Sequence, residues 1–454
     1  MPKSLLQKWK EILSIAWPLI IANGFWNIQL TIDRVFLGSH ATESLGAAMA
    51  VMGVFWTPMA LLQQTACYCT TFVAQYFGAK ENQKIGASLW HALYISIIGG
   101  ILFLFLMFIS PYFFKWIGHS PIIQGLESNY FNALCYSALP TAMVAAFSGF
   151  FTGLGKTRVV ILINASGLLA NAIFDYLLIF GKLGFTAYGI AGAGYATSIA
   201  AYVSAFVGAV LIYNEKNESL YCVKSAWRPT RDLFYRYFRF GLPSGLQWAL
   251  EGLAFSVFLI LMGRFQNGDA ALASSSIVVT VMMIAILPAM GIAQAVMVLV
   301  GQHLGEKKPE LAEEASWSGV QVSSIYIACV ALSFLLIPEF YLSWFQNSQN
   351  LELWNEVKTI VPYLLAYVAF FTSFDSLNLN LSFALRGAGD TRFVSLVALI
   401  VPWPLMIMPT YLTSHFEKAV YWAWAFASLF IVSQAIIFWR RFVGGKWKSM
   451  SVIS

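Results

Sequence analysis

The sequence predicts an all-α integral membrane protein whose twelve transmembrane helices form two parallel six-helix lobes. Three observations support this fold class: the composition, the recurrence of long apolar runs and a resemblance between the two halves. The chain of 454 residues is 59% hydrophobic and only 11% charged, whereas soluble domains are about 25% charged. Apolar runs of about 20 residues, the length that crosses a bilayer, recur along nearly the whole chain.

Twelve segments are long and apolar enough to form these helices. In the first half they are predicted at 13–37, 46–77, 86–109, 127–152, 158–180 and 189–213. In the second half they are predicted at 237–263, 272–301, 315–337, 358–385, 392–413 and 419–440. The polar segment 214–236 lies between the two sets. We therefore predict an N-lobe at 1–213, a cytoplasmic linker at 214–236 and a C-lobe at 237–454.

The basic residues predict the orientation, because cytoplasmic loops of membrane proteins are rich in Lys and Arg. With the N-terminus inside, 21 of the 27 basic residues fall on cytoplasmic segments and five on the opposite side, which leaves Arg34. We expect a multi-pass protein of the cytoplasmic (inner) membrane with both termini in the cytoplasm. Since no small-residue cleavage site follows the first apolar stretch, we expect no removable signal peptide. The basic residues mark loops, so we expect no nucleic-acid partner.

Two motifs recur between the halves at a nearly constant offset. FVAQYFGAKENQK at 72–84 returns in outline as LVGQHLGEKKPEL at 299–311, and GLGKTR at 153–158 returns as GAGDTR at 387–392. Six crossings bring the chain back to its starting side, so the two repeats are predicted to run parallel. The GLGKT turn is not a phosphate loop, because Phe150 replaces its first glycine. An ion gradient is therefore the expected source of energy.

Only four of the 21 acidic residues lie inside long apolar segments: Asp33, Asp175, Glu251 and Asp375. A carboxylate within the bilayer costs a few kcal/mol even on the lenient insertion scale, so it is rare and usually functional. None of the four has an evident fixed cationic partner in the sequence. We expect a proton, Na⁺ or a cationic substrate to neutralise them in turn.

The two acids of the first half belong to a predicted oxygen-rich set. Asp33 and Asp175 each lie about five residues before the outer end of their helix, and Asn171 lies one turn from Asp175 on the same face. Thr197 lies about eight residues into the sixth helix. At about 1.5 Å per residue, all four fall within roughly 7–14 Å of the outer boundary. Such a set suits a proton relay or a hard cation.

The two acids of the second half are predicted near the bilayer midplane, where a charge is most expensive. Glu251 lies near the middle of the seventh helix, one turn after Gln247. Asp375 lies midway along the tenth helix, and Asn378 occupies a neighbouring position. We expect Glu251 and Asp375 to bind a second cation or the substrate.

Several motifs together resemble the multidrug and toxic compound extrusion (MATE) family over essentially the full length. They are WPLI (17–20), TIDRVFLG (31–38), VAQYFGAK (73–80), TGLGKTR (152–158), NAIFDYLLIFG (171–181), GAGYATS (192–198) and RGAGDTR (386–392). The resemblance implies a V-shaped pair of six-helix lobes that exports cationic amphipathic compounds against inflow of Na⁺ or H⁺.

The resemblance also implies roles for particular residues. It assigns the N-lobe cation site to Asp33, Asn171, Asp175 and Thr197, and a bend of the first helix to Pro18. NorM-like members of the family use a Glu and an Asp that match Glu251 and Asp375. Some of them have a Tyr one turn before that Asp, where this chain has Phe371, so a hydroxyl ligand is not expected there.

We therefore expect an antiporter that works by alternating access, with Na⁺ or H⁺ as its coupling ion. We expect neither an enzyme activity, nor a cofactor, nor a metal other than Na⁺, and we expect a monomer in the lipid bilayer. Gln247, Asn378 and Phe371 are candidates for the cavity lining. One alternative is a flippase for a lipid-linked oligosaccharide, which would favour basic cavity residues. A membrane-embedded transferase would need a catalytic acid or metal cluster near a loop.

Overall fold

The computed structural model describes residues 4–345 and 351–453, and within those ranges it contains helices and no strand. The first half contains α1 (Leu5–His40), α2 (Thr42–Cys67), α3 (Cys69–Gly78), α4 (Ile85–Ile117), α5 (Pro121–Cys135), α6 (Ala138–Gly153), α7 (Arg158–Phe180) and α8 (Ile190–Ile212). The linker contains α9 (Glu215–Tyr221) and α10 (Arg231–Arg236). The second half contains α11 (Leu242–Met262), α12 (Gly268–Gly305), α13 (Pro309–Leu336), α14 (Pro338–Ser343), α15 (Leu351–Ala388), α16 (Thr391–Ile400), α17 (Met408–Leu412) and α18 (Ala419–Val443).

The protein is a multi-pass membrane protein. Ten helical stretches in the described residues are long and apolar enough to cross a bilayer, and the bent pair α5 and α6 makes an eleventh. The 36-residue helix α1 is also long enough, but Asn23, Asn27 and Gln29 dilute its apolar character. With α1 included, the helices are consistent with the twelve predicted crossings.

Two predicted helices are interrupted where proline removes a backbone donor. The segment predicted at 127–152 bends by 42° between α5 and α6. Pro140 cannot donate to the carbonyl of Tyr136, one turn earlier, at this bend. In the same way Pro404 cannot donate to Ile400, where α16 ends, and a π-helical turn follows at Trp403–Ile407. The segment predicted at 392–413 is therefore two helices joined by this turn.

The described residues pack into two compact units. The N-unit comprises 18–249, 301–308 and 451–453, and the C-unit comprises 4–17, 250–300, 309–345 and 351–450. Each unit has its own apolar core. The largest fully buried rings include Phe72, Phe147 and Phe150 in the N-unit and Phe258, Phe334 and Trp424 in the C-unit. The linker belongs to the N-unit. The two units are not the predicted lobes, which were defined by the sequence repeat and stay a prediction.

Two glycines of the repeated motif meet the opposite copy of that motif inside the N-unit. A Cβ atom on Gly78 would lie 1.9 Å from the carbonyl oxygen of Gln302, and one on Gly305 would lie 2.1 Å from that of Gln75. Gly78 and Gly305 occupy equivalent positions of the two motif copies, and so do Gln75 and Gln302. The helix ends therefore cross as an equivalent pair, at a distance that only glycine permits.

The linker is fixed to one face of α4. Three pairs form this attachment: Trp90 Nε1 donates to the Val223 carbonyl at 2.8 Å, Tyr94 Oη donates to the Trp227 carbonyl, and the Thr230 N–H donates to His91 Nε2 at 3.1 Å. His91 is fully buried, and its Nδ1 lies 2.7 Å from the Ala87 carbonyl. His91 thus holds the linker by Nε2, while its Nδ1 contacts the preceding turn of α4.

Candidate functional site

The N-unit brings three of the predicted site residues together. Asn171 and Asp175 are fully buried on α7, one turn apart, and Asp33 on α1 is 6% exposed. The Asp33 carboxyl group faces the side chains of Asp175 and Asn171. The neighbouring Arg34 is exposed, as expected for adjacent helix positions that point apart.

The polar atoms of this cluster are short of partners. Both carboxyl oxygens of Asp175, both polar atoms of the Asn171 side chain and one oxygen of Asp33 are buried without a hydrogen bond to the described residues. Two carboxylates that face each other away from water repel each other. The donor set therefore fits a proton or a small hard cation, which would satisfy these oxygens and remove the repulsion.

Thr197 joins this cluster through a cavity in the N-unit. Asp33 and Thr197 both line a cavity of about 970 Å³, a volume that includes the space at its open mouth. Asp33 is the one charged residue among the described residues of the lining. Asn171 and Asp175 lie behind Asp33 and are not part of the lining. Asp33 is therefore the residue of the cluster Asp33, Asn171 and Asp175 that is in contact with the cavity.

The rest of the cavity lining is aromatic or carries amide groups. Trp26 and Trp56 face each other with ring centroids 5.7 Å apart and planes inclined by 37°. Gln29, Gln63 and Asn164 add amide groups. A carboxylate beside aromatic faces suits an organic cation with a flat apolar body. Trp26 and Trp56 were not predicted, because the sequence does not show which of the 16 Trp residues face inward.

The C-unit holds the second pair of acids in a hydrogen-bonded chain. Asn378 Nδ2 donates to Asp375 Oδ1 at 3.2 Å and to Gln434 Oε1 at 3.1 Å. Gln434 Nε2 lies 3.4 Å from Glu251 Oε1. Asp375, Asn378 and Gln434 are at most 7% exposed. The network therefore connects acids on α11 and α15 through a single amide on α18.

Sequence reasoning missed Gln434 and one further buried acid. Gln434 is an amide in the apolar stretch of α18, which is a usable signal, but α18 carries no acid beside it, unlike the helices of Asn171, Gln247 and Asn378. Glu127 lies at the start of a predicted helix, and the structure buries it completely. Its Oε1 lies 2.7 Å from His119 Nδ1.

Three other predicted residues lie as follows. Gln247 is buried on α11, one turn before Glu251. Phe371 is 3% exposed and stacks on Trp424 at 6.4 Å within the core of the C-unit. Pro18 is buried inside α1, which continues through it. The roles of all three stay predictions.

These features define an integral membrane protein of two repeats with acids buried in its helix bundles. The sequence model of the MatE family matches the chain twice, at residues 18–177 and 243–412. The chain therefore belongs to the MatE family.

Curated relatives and solved structures agree with this assignment. The chain is 23% identical over 454 residues to a "Probable multidrug resistance protein NorM" of Thermotoga maritima, covering 98% of this chain and 94% of the relative. It is 27% identical over 397 residues to a protein of the same name from Xanthomonas campestris pv. campestris, covering 86% and 84%. Both matches extend over most of each chain.

Two solved structures share the fold at a TM-score of 0.88 and 20% identity. One is described as "Crystal structure of MATE in complex with MaL6" and covers 98% of both chains. The other is a superfamily transporter from Pyrococcus furiosus, for which "reverse polarity of binding pocket suggests different function"; the match covers 98% of this chain and 97% of that one. Because pocket polarity is linked to function in that transporter, the charge of this chain's own cavity bears on what the cavity can bind.

Proposed function

We propose that this protein is an antiporter that exports cationic amphipathic drugs and toxins by alternating access in exchange for Na⁺ or H⁺. It acts in the inner membrane as a monomer, with both termini in the cytoplasm. It needs no cofactor and catalyses no covalent reaction. The family, together with relatives named as multidrug resistance proteins, supports drug export.

The observation that carries the proposal is the charge of the N-unit cavity. Asp33 supplies the one negative group of the described lining, beside the Trp26 and Trp56 rings. The carboxylate attracts a cation, and the rings bind its flat apolar body. A flippase for a lipid-linked pyrophosphate would favour basic lining residues, so the acidic cavity supports the drug exporter instead.

The buried acids supply the coupling. A proton or Na⁺ held among Asp33, Asn171, Asp175 and Thr197 reduces the negative charge that attracts the drug. By linkage, each ligand then weakens the binding of the other by the same factor. Each one shifts the conformational equilibrium only by its differential affinity for the two states. Entry of the coupling ion from outside therefore favours release of the drug.

The chain of polar groups in the C-unit gives the second pair of acids a related role. Glu251 and Asp375 bind a second cation or the cationic group of the drug. Gln434 and Asn378 orient these carboxylates through the hydrogen bonds described above. When an amide donates a hydrogen bond to one oxygen of a carboxylate, the carboxylate is held in one orientation toward an incoming cation.

The test is dye transport by the purified protein in proteoliposomes under separate Na⁺ and H⁺ gradients. We expect transport under one of these gradients, and its loss in Asp33→Asn and in Glu251→Gln. Asp269→Asn serves as the control, because Asp269 is an exposed acid in the first turn of α12. Coupling that is unchanged in both variants would refute the assignment.

A further inference from the structure

The linker and the π-helical turn that follows it, Tyr237–Gly241, expose basic groups together with large aromatic rings. Lys224, Arg228, Arg231 and Arg239 are exposed, and so are the rings of Trp227 (54%), Tyr235 (63%) and Phe238 (49%). We call these seven residues the linker face. A basic surface with exposed rings is unusual for a connection between two repeats, because a purely flexible connection requires neither feature.

Acidic residues near the linker face are engaged in other contacts. Glu218 accepts hydrogen bonds from the backbone N–H groups of Lys224 and Ser225, and these bonds hold the pKa of Glu218 below its usual range. Asp232 lies 2.8 Å from Arg236, and Arg236 is not part of the linker face. Within the described residues, none of the four basic groups of the linker face forms an ion pair, and only Lys224 has its charge partly compensated, by Glu218. Most of the positive charge is therefore left for an external partner.

The attachment to α4 places the linker face at the level of the membrane surface. The 33 residues of α4 extend about 50 Å, whereas the hydrocarbon core is about 30 Å thick. Tyr94, whose hydroxyl bonds the Trp227 carbonyl, lies nine residues, or about 14 Å, beyond the start of α4. The Trp227 ring is therefore held near the boundary between headgroups and hydrocarbon, where Trp and Tyr are enriched.

The exposed residues also change character along the helix that leads away from the linker. Arg231 and Asp232 come first, and Tyr235, Phe238 and Arg239 follow. Apart from Ser256, the exposed residues of α11 are then aliphatic: Leu242, Leu246, Leu253 and Ile260. The order runs from charged residues, through a mixture of aromatic and basic ones, to mainly aliphatic ones. This is the order that a helix meets when it passes from lipid headgroups into hydrocarbon.

We propose that the linker face is a binding surface for anionic phospholipid, on the side of the membrane proposed to be cytoplasmic. The Arg guanidinium groups bind the lipid phosphates, for which their planar forked geometry is suited. The Trp227 and Tyr235 rings pack beside the upper acyl chains. A nucleic acid would also offer phosphates, but it cannot reach rings at the level of the hydrocarbon boundary.

Native mass spectrometry of the detergent-purified protein tests this proposal by counting phosphatidylglycerol and phosphatidylcholine that remain bound. We expect the protein to retain phosphatidylglycerol in preference to phosphatidylcholine. In the triple variant Arg228→Gln, Arg231→Gln, Arg239→Gln, retention of phosphatidylglycerol should be weaker by roughly tenfold or more, since each basic group near an anionic surface contributes several-fold in affinity. Trp227→Ala should weaken retention as well, because its ring packs on the lipid while its backbone carbonyl stays with Tyr94.

The control is a triple variant with the same change in net charge, Lys10→Gln, Lys307→Gln, Arg440→Gln, whose three residues are exposed elsewhere. It should retain phosphatidylglycerol like the wild type. Equal loss in both triple variants, or no loss in either, overturns the proposal. Thermal stabilisation by inorganic phosphate equal to that by phosphatidylglycerol also overturns it, because the rings would then contribute nothing. Size-exclusion profiles establish that each variant is folded.

Discussion

Gln434 completes the chain of hydrogen bonds that joins Asp375, through Asn378, to Glu251. Its Oε1 accepts from Asn378 and its Nε2 donates to Glu251, so the orientation of the amide links the positions of these two side chains. The acids themselves were predictable, because a carboxylate inside an apolar segment is expensive and stands out. Gln434 was not predicted, since an uncharged amide costs less to bury and gives a weaker signal in the sequence.

Replacing Gln434 by Leu should reduce transport by roughly tenfold or more. The change removes one hydrogen bond to a carboxylate, that of Glu251, worth about 1.5–3 kcal/mol, and the bond that the Asn378 amide donates to Gln434. Initial rates of dye uptake in proteoliposomes measure the effect. Gln266→Leu is the control, because Gln266 is exposed in the connection between α11 and α12. Equal rates in Gln434→Leu and the control would show that the amide only fills space.

Trp26→Leu should weaken the binding of flat aromatic cations by about 2- to 30-fold, the range that cation–π contacts provide. Non-aromatic cations of the same charge should lose less, since Asp33 still attracts them. Binding of both kinds of cation can be measured by isothermal titration calorimetry. Trp116→Leu is the matched control, because its ring is 82% exposed. A uniform loss of affinity for both kinds would argue against a role of the ring.

At the scale of helices and their connections, proline explains two of the places where prediction and structure differ. The sequence indicated unbroken helices at 127–152 and 392–413, because both are apolar throughout. Hydropathy does not register the missing N–H groups of Pro140 and Pro404, which interrupt the helices one turn earlier. The linker was predicted as a connection only. Its attachment depends on contacts with α4 that lie more than 130 positions away in the sequence.

Tyr94→Phe should loosen the linker and leave the helices intact. The change removes one hydrogen bond, worth about 1 kcal/mol, and frees the Trp227 carbonyl. We expect hydrogen exchange at 222–230 to become about fivefold faster, with no change in α7 or α8. Mass-spectrometric exchange on the intact protein in detergent measures both regions. Tyr112→Phe, at the far end of α4 and 77% exposed, should exchange like the wild type.

At the scale of the whole molecule, the internal repeat is readable in the sequence and again in the packing. The two motif copies are similar enough to be recognised in the sequence, and the MatE model matches both halves. The close approach of Gly78 and Gly305 to the carbonyl oxygens of the opposite copy was not predicted. Sequence similarity between copies does not reveal whether the copies meet. Each contact is short because a helix end there faces a backbone oxygen directly.

Gly78→Ala and Gly305→Ala should each destabilise the protein by about 1–3 kcal/mol, the usual cost of overpacking. The added methyl group would lie about 2 Å from a carbonyl oxygen, so the backbone has to move. The melting temperature in detergent reports the change. Gly125→Ala is the control, because a Cβ atom there meets nothing within 4 Å. Wild-type melting temperatures in both variants would show that the helix ends separate freely.

The attachment of the linker to α4 has a consequence for how this segment can evolve. In all three pairs the linker contributes main-chain groups, which every residue possesses, whereas α4 contributes the distinctive rings of Trp90, His91 and Tyr94. Substitutions between 223 and 230 can therefore accumulate without detaching the segment. Insertions and deletions would detach the segment, since they would move the main-chain groups of the linker away from the side chains of α4. Divergent relatives should conserve the length of this segment more strictly than the identities of its residues.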